Sequence, residues 1–155
     1  MTPNTADVWD ERGAELYSIA LPFHDFGAIR KFSGPVRTVR CHEDNALFKS
    51  IVSTPGGGAV MVVDGGGSLA AALMGDMIAT LAIENEWAGV VVYGAIRDRV
   101  ALSSMQLGIK ALGSNPRKSS KTGAGEADVL IELGGATIRP GAMLFADEDG
   151  ILVER

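Results

Sequence analysis

Residues 75–98 read GDMIATLAIENEWAGVVVYGAIRD and carry the clearest pattern of the chain. Apolar residues at helical spacing occupy the part up to Trp87, and an apolar, β-branched run bounded by glycines follows over residues 89–93. A short run of this kind predicts a strand that is buried on both faces. A helix that feeds such a strand is half of a parallel crossover unit. Arg97 and Asp98 are therefore expected at the carboxyl end of the strand, the edge where open α/β sheets usually bind ligands.

The charged pair at the end of this unit and the start of its helix together form the candidate active site. Arg97 is a fixed cation beside the Asp98 carboxylate, and the two can seat an anionic substrate and a divalent metal together. The first-turn N–H groups near Gly75 and Asp76 form a second seat for an anion. Taken singly, Asp76 ordinarily complements the helix dipole, and Arg97-Asp98 is ordinarily a surface ion pair. The combination favours a site, because the helix start, twenty residues earlier, can fold back beside the strand end.

Composition and charge limit the class of protein. The chain of 155 residues is 46% hydrophobic and 21% charged, which predicts one globular domain over residues 1–155. Its net charge of −5 weighs against direct nucleic-acid binding, since phosphate contacts need clustered Lys and Arg. No apolar stretch approaches the roughly 18 residues that span a membrane, and the start lacks the pattern of a signal peptide. Cys41 is the only cysteine, so a cytoplasmic protein without a membrane partner is expected.

The elements around the central unit are predicted from shorter patterns. Helices are predicted within residues 6–20, from Asp44 or Asn45 to residue 52, and, as a short helix or turn, over residues 102–105. Strands are predicted over residues 36–41, 59–64 and 107–112. The first of these strands is placed at a sheet edge, because Arg37 and Arg40 fall on opposite faces. Irregular structure and a turn are expected over residues 21–34 and 69–74 respectively.

The last third of the chain predicts two β-hairpins. Residues 129–133 and 136–138 flank Gly134-Gly135, which is a hairpin turn signal. A second pair of short apolar runs flanks a turn at residues 147–150. Parallel units in the middle of the chain and hairpins at its end indicate an α/β domain with a mixed sheet.

Two other features have some likeness to functional motifs. The loop Gly65-Gly66-Gly67-Ser68 follows a strand, which is a setting for anion binding, but it lacks the dinucleotide and NTPase fingerprints. A tight strand-to-helix connection is the commoner meaning of such a loop. His24 and His42 have no partner at the spacing of a zinc site, and Cys41 would point away from His42 on a strand. Structural roles are therefore predicted for these three side chains.

The spacing of the candidate site resembles a family signature. Gly75-Asp76, twenty intervening residues and then Arg97-Asp98 are similar to the signature of the class II aldolases for 4-hydroxy-4-methyl-2-oxoglutarate. These aldolases belong to the superfamily named after regulator of ribonuclease activity A (RraA). Further stretches that resemble the family are Phe26-Gly27, 38–41, Glu43-Asp44-Asn45, 62–68, 85–89, Tyr93-Gly94-Ala95, 108–111 and 146–151. The resemblance covers nearly the whole chain.

The resemblance implies a fold, an assembly and a set of site residues. The fold is a swivelling β/β/α-type domain, assembled as a homotrimer with active sites near the subunit contacts. A divalent metal, Mg²⁺ or Mn²⁺, is held by Asp98, and the catalytic residues are Arg97 and Asp76. The residues that bind a small 2-oxo acid substrate are Gly75, Asp76, Met77, Ile78 and Arg97. The length is that of the shorter, regulator-like members, so contacts from the C-terminal extension of longer aldolases are not expected.

Two functions follow from the resemblance. The first is an aldolase that cleaves 4-hydroxy-4-methyl-2-oxoglutarate and similar 4-hydroxy-2-oxo acids to pyruvate and also decarboxylates oxaloacetate. The alternative is a non-enzymatic regulator that binds and inhibits a ribonuclease, and an acidic surface suits the binding of basic protein segments. Regulators of the family can lack the second acid of the Arg-Asp pair, whereas this chain keeps it as Asp98. An older label of the family, quinone methyltransferase, has no support here, because the chain lacks a glycine fingerprint for S-adenosylmethionine after the first strand.

The residue types agree with the aldolase chemistry. Retro-aldol cleavage and oxaloacetate decarboxylation both leave pyruvate enolate, whose charge a chelated metal can take up as a Lewis acid. One carboxylate, Asp98, together with waters and substrate oxygens is an ordinary ligand set for Mg²⁺ or Mn²⁺. No lysine lies in the motif, so no Schiff base is expected. The identity of the general base stays open: it is either a metal-bound water or a water positioned by Asp76.

The basic segment Arg117-Lys118-Ser119-Ser120-Lys121-Thr122-Gly123 allows two interpretations. The first is a solvated loop between a strand and a hairpin. The second is a loop that reaches across a subunit contact and binds the distal carboxylate of the substrate through Arg117 and Lys121. A dicarboxylic substrate carries a second negative charge, which Arg97 and the helix start do not neutralise while they hold the pyruvyl half.

Overall fold

The alternation of β-branched runs and short amphipathic runs produces a strand-rich chain, and the computed structural model describes residues 2–155 of it. The strands in this range are β1 (Leu16–Ser18), β2 (His24–Asp25), β3 (Phe32–Arg40), β4 (Val60–Asp64), β5 (Ala72–Met74), β6 (Gly89–Ile96), β7 (Gly108–Ser114), β8 (Glu126–Ala127), β9 (Ile131–Leu133), β10 (Ala136–Ile138), β11 (Met143–Asp147) and β12 (Gly150–Glu154). The helices are α1 (Thr5–Arg12), α2 (Ala46–Val52), α3 (Asp76–Glu84) and α4 (Arg99–Leu102), with a 3₁₀ turn at Gly13–Glu15.

Strands β3, β4, β6 and β7 form the parallel centre of the main sheet, whose order is β1-β12-β11-β3-β4-β6-β7-β2. Residues 89–92 of the apolar run of β6 are buried, as predicted for a strand covered on both faces, whereas Tyr93 is half-buried. Val90 and Val92 belong to one apolar cluster, and Val91 belongs to the other. This alternation follows from the two-residue period of a strand. The strands β11, β12 and β1 continue the sheet in antiparallel pairing, so the sheet is mixed.

Helices cover one face of the sheet. Phe48 on α2, Ile78 on α3 and Trp87, which follows α3, are buried in the same cluster as the strand residues of that face. The Trp87 indole donates to the Val52 carbonyl at 3.1 Å, so the tryptophan is a core residue that also joins the ends of α2 and α3. Packing of both helices against β6 holds the start of α3 beside the carboxyl end of that strand.

The opposite face of the sheet is covered by the β9–β10 hairpin. Ile131, Leu133 and Ile138 are buried there with the inner residues of the main sheet. Both predicted hairpins, β9–β10 and β11–β12, are confirmed. Helices, sheet and hairpin thus form three layers, which confirms the swivelling β/β/α-type domain with a mixed central sheet.

The prediction that the strand at residues 36–41 lies at a sheet edge is wrong. The strand begins earlier, at Phe32, and β3 lies between β11 and β4 in the interior of the sheet. Each of the two arginines on it forms an ion pair with a carboxylate of another segment. Arg37 contacts Asp128 at 3.1 Å, and Arg40 contacts Asp64 at 3.5 Å.

Three further elements differ from their predicted bounds. The helix predicted within residues 6–20 ends at Arg12, because Gly13 begins a 3₁₀ turn and β1 follows at Leu16. The segment 69–74, predicted as a turn, contains β5, which pairs with the far end of β6. The irregular segment 21–34 contains the short β2, which pairs with β7. No helix within residues 2–155 has the length and apolar character needed to cross a membrane.

Candidate active site

Gly75 joins β5 to α3 and lies against the charged pair. A Cβ atom added at this position would lie 2.5 Å from Asp98 Oδ2 and 3.2 Å from Arg97 Cγ. A contact of 2.5 Å is impossible without movement, so only glycine lets the backbone approach the carboxylate this closely. The glycine is required here for space rather than for its backbone angles, since its φ is −136°.

Asp98 follows β6 and is held in a left-handed conformation, with φ 62° and ψ 42°. Aspartate adopts this region more readily than most residues, although it still carries some strain there. The carboxylate Oδ2 accepts a hydrogen bond from the Asp76 N–H at 2.9 Å. The turn therefore aims the Asp98 carboxylate at the positive end of the α3 dipole.

Arg97 is half-buried and is attached to the site on two sides. Its backbone N–H donates to the Met74 carbonyl at 2.9 Å, which ties the end of β6 to the end of β5. Its guanidinium Nη1 donates to the Pro116 carbonyl at 3.3 Å. The cation is thus oriented between the helix start and the segment that follows β7.

One cavity brings the predicted residues together. Its lining residues are Asn45, Lys49, Ala72, Met74, Gly75, Asp76, Met77, Ile78, Arg97, Asp98, Lys118, Ser119 and Lys121. All six predicted site residues are among them, while their catalytic, substrate and metal roles stay predictions. Four lining side chains are basic and two are acidic, a net of +2, on a chain whose net charge is −5. The cavity is therefore an anion-attracting region on an acidic protein.

The basic segment 117–123 lies against the cavity of its own chain. Lys118, Ser119 and Lys121 line the cavity, whereas Arg117 does not. The segment is also more firmly held than a solvated loop, because the Ala72 N–H donates to the Arg117 carbonyl at 2.7 Å. Of the two residues predicted to bind a distal carboxylate, Lys121 thus lines the cavity and Arg117 does not, and no crossing of a subunit contact is needed to bring this loop to the cavity.

Asn45 and Lys49 also line the cavity, although neither was predicted from the sequence as a site residue. Asn45 is 8% exposed, and its Nδ2 donates to the Leu73 carbonyl at 3.1 Å. Its Oδ1 has no hydrogen-bond partner within the described part of the chain. Two signals could have found these residues: Asn45 lies in a stretch that resembles the family, and Lys49 follows it by four positions, on the same face of α2.

The donor set at Asp98 fits a magnesium-type ion. Oδ2 accepts from the Asp76 N–H, and Oδ1 accepts no hydrogen bond from any residue between 2 and 155. In the same range no group of three or more His, Cys, Asp or Glu side chains is arranged around a common point. A closed zinc-type site is thus a poor fit, whereas Mg²⁺ is commonly bound through one or two carboxylates with waters and substrate oxygens.

The glycine loop 65–68 and Cys41 have structural roles. The Gly65 and Gly67 N–H groups both donate to the Tyr93 carbonyl, at 3.0 and 3.1 Å, so the glycine loop is a tight connection with those donors already used. Burial, with contributions from Asp44 and Asp64, raises the pKa of the Cys41 thiol to about 12. Because a thiol at neutral pH is a poor nucleophile, Cys41 is not suited to covalent catalysis.

The chain matches the family described as RraA-like, Aldolase/RraA, over residues 2–153. Among solved structures it is similar to the RNA-processing inhibitor RraA from Thermus thermophilis, with 44% identity, a TM-score of 0.95 and coverage of 99% of this chain and 93% of that one. It is equally similar to a protein from Geobacillus kaustophilus named S-adenosylmethionine: 2-dimethylmenaquinone methyltransferase, with 44% identity, a TM-score of 0.95 and coverage of 98% and 94%. RraAS2 of Streptomyces coelicolor, an RNase ES inhibitor family member, has 26% identity, a TM-score of 0.74 and coverage of 99% and 86%.

Proposed function

This chain belongs to the RraA-like family, and from that membership we propose that it is a divalent-metal-dependent lyase. Its substrates are 4-hydroxy-4-methyl-2-oxoglutarate and similar 4-hydroxy-2-oxo acids, which it cleaves to pyruvate, and oxaloacetate, which it decarboxylates. The observation that carries the proposal is the position of the Asp98 carboxylate, 2.9 Å from the N–H of Asp76 at the start of α3 and adjacent to Arg97. A carboxylate, a fixed cation and a helix N-terminus meet there in one cavity.

Each of the cavity residues has its own role in the reaction of a 2-oxo acid. The first-turn N–H groups of Met77 and Ile78 have no partner inside the helix, since a helix start leaves such donors unpaired, and they can hold the substrate carboxylate. Arg97 stabilises the negative charge that develops on the 2-oxo oxygen as the enolate forms. Asp98 would hold Mg²⁺ or Mn²⁺, which supplies Lewis-acid polarisation of the 2-oxo group when bound. Asp76 lies at the cavity, where its carboxylate can orient a water towards the 4-hydroxyl proton.

The distal half of the substrate faces the lysines of the cavity. Oxaloacetate and 4-hydroxy-4-methyl-2-oxoglutarate each carry a second carboxylate. Lys118 and Lys121 are placed on the same cavity wall by the segment 117–123, and Lys49 is contributed by α2. A charge-assisted hydrogen bond from one of these ammonium groups to that carboxylate would favour dicarboxylic over monocarboxylic substrates.

The lyase proposal is tested by measuring pyruvate release coupled to lactate dehydrogenase, with Mg²⁺ or Mn²⁺ and with EDTA. We expect EDTA and Asp98→Ala each to abolish metal-dependent turnover. Arg97→Ala should lower kcat/KM at least about 30-fold, which corresponds to about 2 kcal/mol of transition-state stabilisation. Asp10→Ala, which removes an exposed carboxylate on α1, is the matched control and should leave turnover unchanged. Turnover that survives EDTA and both site variants, above a protein-free control with the same metal, would exclude this mechanism.

The alternative function is a regulator that binds a ribonuclease. The observation that favours it is the similarity to the RNA-processing inhibitor from Thermus thermophilis, at 44% identity over 99% of this chain. A pull-down of ribonuclease activity from lysate with wild type and Asp98→Ala separates the two functions. Capture that is unaffected by Asp98→Ala, together with no pyruvate release from either protein, would support the regulator.

A methyltransferase is not proposed, although one similar structure carries that name. S-adenosylmethionine bears a positively charged sulfonium, and the cavity is lined by Lys49, Lys118, Lys121 and Arg97. Four cations around a sulfonium would oppose its binding.

We also propose that the protein assembles as a homotrimer, as its family resemblance implies. A monomer mass in light scattering at micromolar concentration would contradict this assembly.

A further inference from the structure

Asp44 has no part in the mechanism above, yet its carboxylate is one of the most fully bonded groups of the described chain. It is 4% exposed. Oδ2 accepts from the Thr122 N–H at 2.7 Å and from the Thr122 hydroxyl at 2.6 Å. Oδ1 accepts from the Gly123 N–H at 3.1 Å and from the Ala46 N–H at 3.2 Å. Three of these four donors belong to the segment 117–123, which supplies Lys118 and Lys121 to the cavity.

The backbone on either side of Asp44 holds the same segment. The Ser120 N–H donates to the Glu43 carbonyl at 2.9 Å, and the Asn45 N–H donates to the Ser120 carbonyl at 3.1 Å. Lys121 thus lies between Ser120, which is held by this short ladder, and Thr122, which is held by the Asp44 carboxylate. Two neighbours that are both fixed leave the backbone of Lys121 little freedom.

Lys118 is held from the other side of the cavity. The Ser119 hydroxyl donates to the Ala72 carbonyl at 2.6 Å, and Ala72 forms a bridge with Lys118. The strand β5 therefore fixes the first half of the segment, and Asp44 fixes the second half. Removal of either attachment would release one of the two lysines from its place on the cavity wall.

The negative charge of Asp44 shows whether this residue could favour anion binding directly or only by positioning other groups. Hydrogen bonds, first of all from the Thr122 hydroxyl, lower the pKa of Asp44 to about 2, so the group is ionised at neutral pH. A negative charge near a cavity that binds anions opposes their binding by Coulomb's law. Asp44 can favour anion binding only through the geometry that it imposes on the segment 117–123.

We propose that Asp44 is a positioning residue that holds Lys121, and with it the anion-binding wall of the cavity, in place for the second carboxylate of a 2-oxo acid. This inference rests on the proposed function for the class of ligand. It assigns to the stretch Glu43-Asp44-Asn45 a role that the reaction itself does not require: selection of doubly charged over singly charged 2-oxo acids.

The test is a direct binding measurement on the full chain with Mg²⁺ present. Calorimetric titrations with 2-oxoglutarate, which has two carboxylates, and with pyruvate, which has one, are compared for wild type and Asp44→Asn. The substitution keeps the size of the side chain but turns an amide NH₂ or a weaker acceptor towards the Thr122 donors. We expect the Kd for 2-oxoglutarate to rise about 5-fold or more, while the Kd for pyruvate changes less than about 2-fold.

Glu43→Gln is the matched control. It removes the same charge one residue away, and the Glu43 side chain contacts Ser68 and His42 rather than the lysine segment. It should leave 2-oxoglutarate binding unchanged or slightly tighter. Unchanged or tighter binding of 2-oxoglutarate by Asp44→Asn would overturn the proposal, because Asp44 would then act only as a nearby charge.

Two further variants keep the test decisive if Asp44→Asn does not fold. Thr122→Val removes one of the donors to Asp44 and should weaken 2-oxoglutarate binding in the same direction by a smaller factor. In a Lys121→Ala background, Thr122→Val should have no further effect, because the positioning acts through Lys121. Full additivity of the two changes would overturn the proposal. The readout is binding, so wild type that binds 2-oxoglutarate without pyruvate release would refute the lyase proposal alone.

Discussion

At the residue scale, the site depends on a contact that leaves no room for a methyl group. The Gly75 backbone lies against the Asp98 carboxylate, and the same carboxylate accepts from the Asp76 N–H. The left-handed turn at Asp98 is what brings the oxygen there. The position of the carboxylate is therefore determined jointly by the glycine, by the turn and by the helix start.

We expect Gly75→Ala to damage the site more than the fold. Its Cβ would lie 2.5 Å from Asp98 Oδ2, so the carboxylate or the start of α3 must shift. A displacement of this order should lower kcat/KM for oxaloacetate at least about 10-fold. Gly113→Ala is the control, because its Cβ would make an ordinary 3.4 Å contact with Leu69. Equal activities of the two variants in the pyruvate assay would contradict the importance of this contact.

At the element scale, the segment 117–123 is a part of the cavity wall. It is joined to β5 through Ala72 and to the turn before α2 through Asp44. Because these attachments come from two elements that are distant in the sequence, the segment has a defined position although it contains little regular structure. Its charges are thereby useful for recognising a ligand.

The structure predicts that the three basic residues of this segment are not equivalent. Lys118→Ala and Lys121→Ala should each raise the KM for oxaloacetate about 5-fold or more with little change in kcat, because a cation that binds the distal carboxylate is lost. Arg117→Ala is the matched control, since Arg117 lies outside the cavity lining. Inhibition by pyruvate should be unchanged in all three. A KM increase for Arg117→Ala as large as for Lys121→Ala would show only a general effect of charge.

At the scale of the whole molecule, buried and half-buried carboxylates join distant parts of the chain. The Asp147 carboxylate at the end of β11 accepts from the Thr5 hydroxyl at 2.7 Å and from the Thr5 N–H at 2.8 Å. The Arg12 guanidinium contacts Glu154 at 2.7 Å. The N-terminal helix is thus attached to the C-terminal hairpin through ionised groups, and Asp44 attaches the lysine segment in the same way.

These attachments predict a loss of stability in acid. Burial raises the pKa of Asp147, but hydrogen bonds from Thr5 and Asp149 outweigh it, so the pKa is lowered overall, and Thr122 lowers the pKa of Asp44 to about 2. A depressed pKa in the folded state stabilises the protein above the unfolded value of 3.8, and this stability is lost as pH falls towards 2.

The measurement is urea unfolding followed by tryptophan fluorescence at pH 7, 5, 4 and 3. The free energy of unfolding should change little from pH 7 to about pH 5 and should fall steeply below pH 4. Asp147→Asn should be less stable at pH 7 and should show a shallower fall in acid. A wild-type free energy of unfolding that is constant down to pH 3 would contradict the stabilising role of these ionised carboxylates.

The sequence by itself determined the features that are encoded locally. The apolar run of β6, the helix before it and the two hairpin turns are contiguous patterns, and each forms where the pattern indicates. The residues Gly75, Asp76, Arg97 and Asp98 could be named in advance, because a resemblance in spacing carries over residue by residue. Their meeting at one edge follows from the helix–strand unit alone.

Only the tertiary structure decided the features that depend on distant partners. β3 is an interior strand because β11, about a hundred residues later, pairs with its first half. β5 forms because β6 offers it a free stretch of backbone beyond β4. Lys118 and Lys121 lie at the cavity because Asp44 and Ala72 hold their segment. The physical reason is the same in each case: the hydrogen-bond partner that fixes the backbone lies far away in the sequence, and no local pattern contains it.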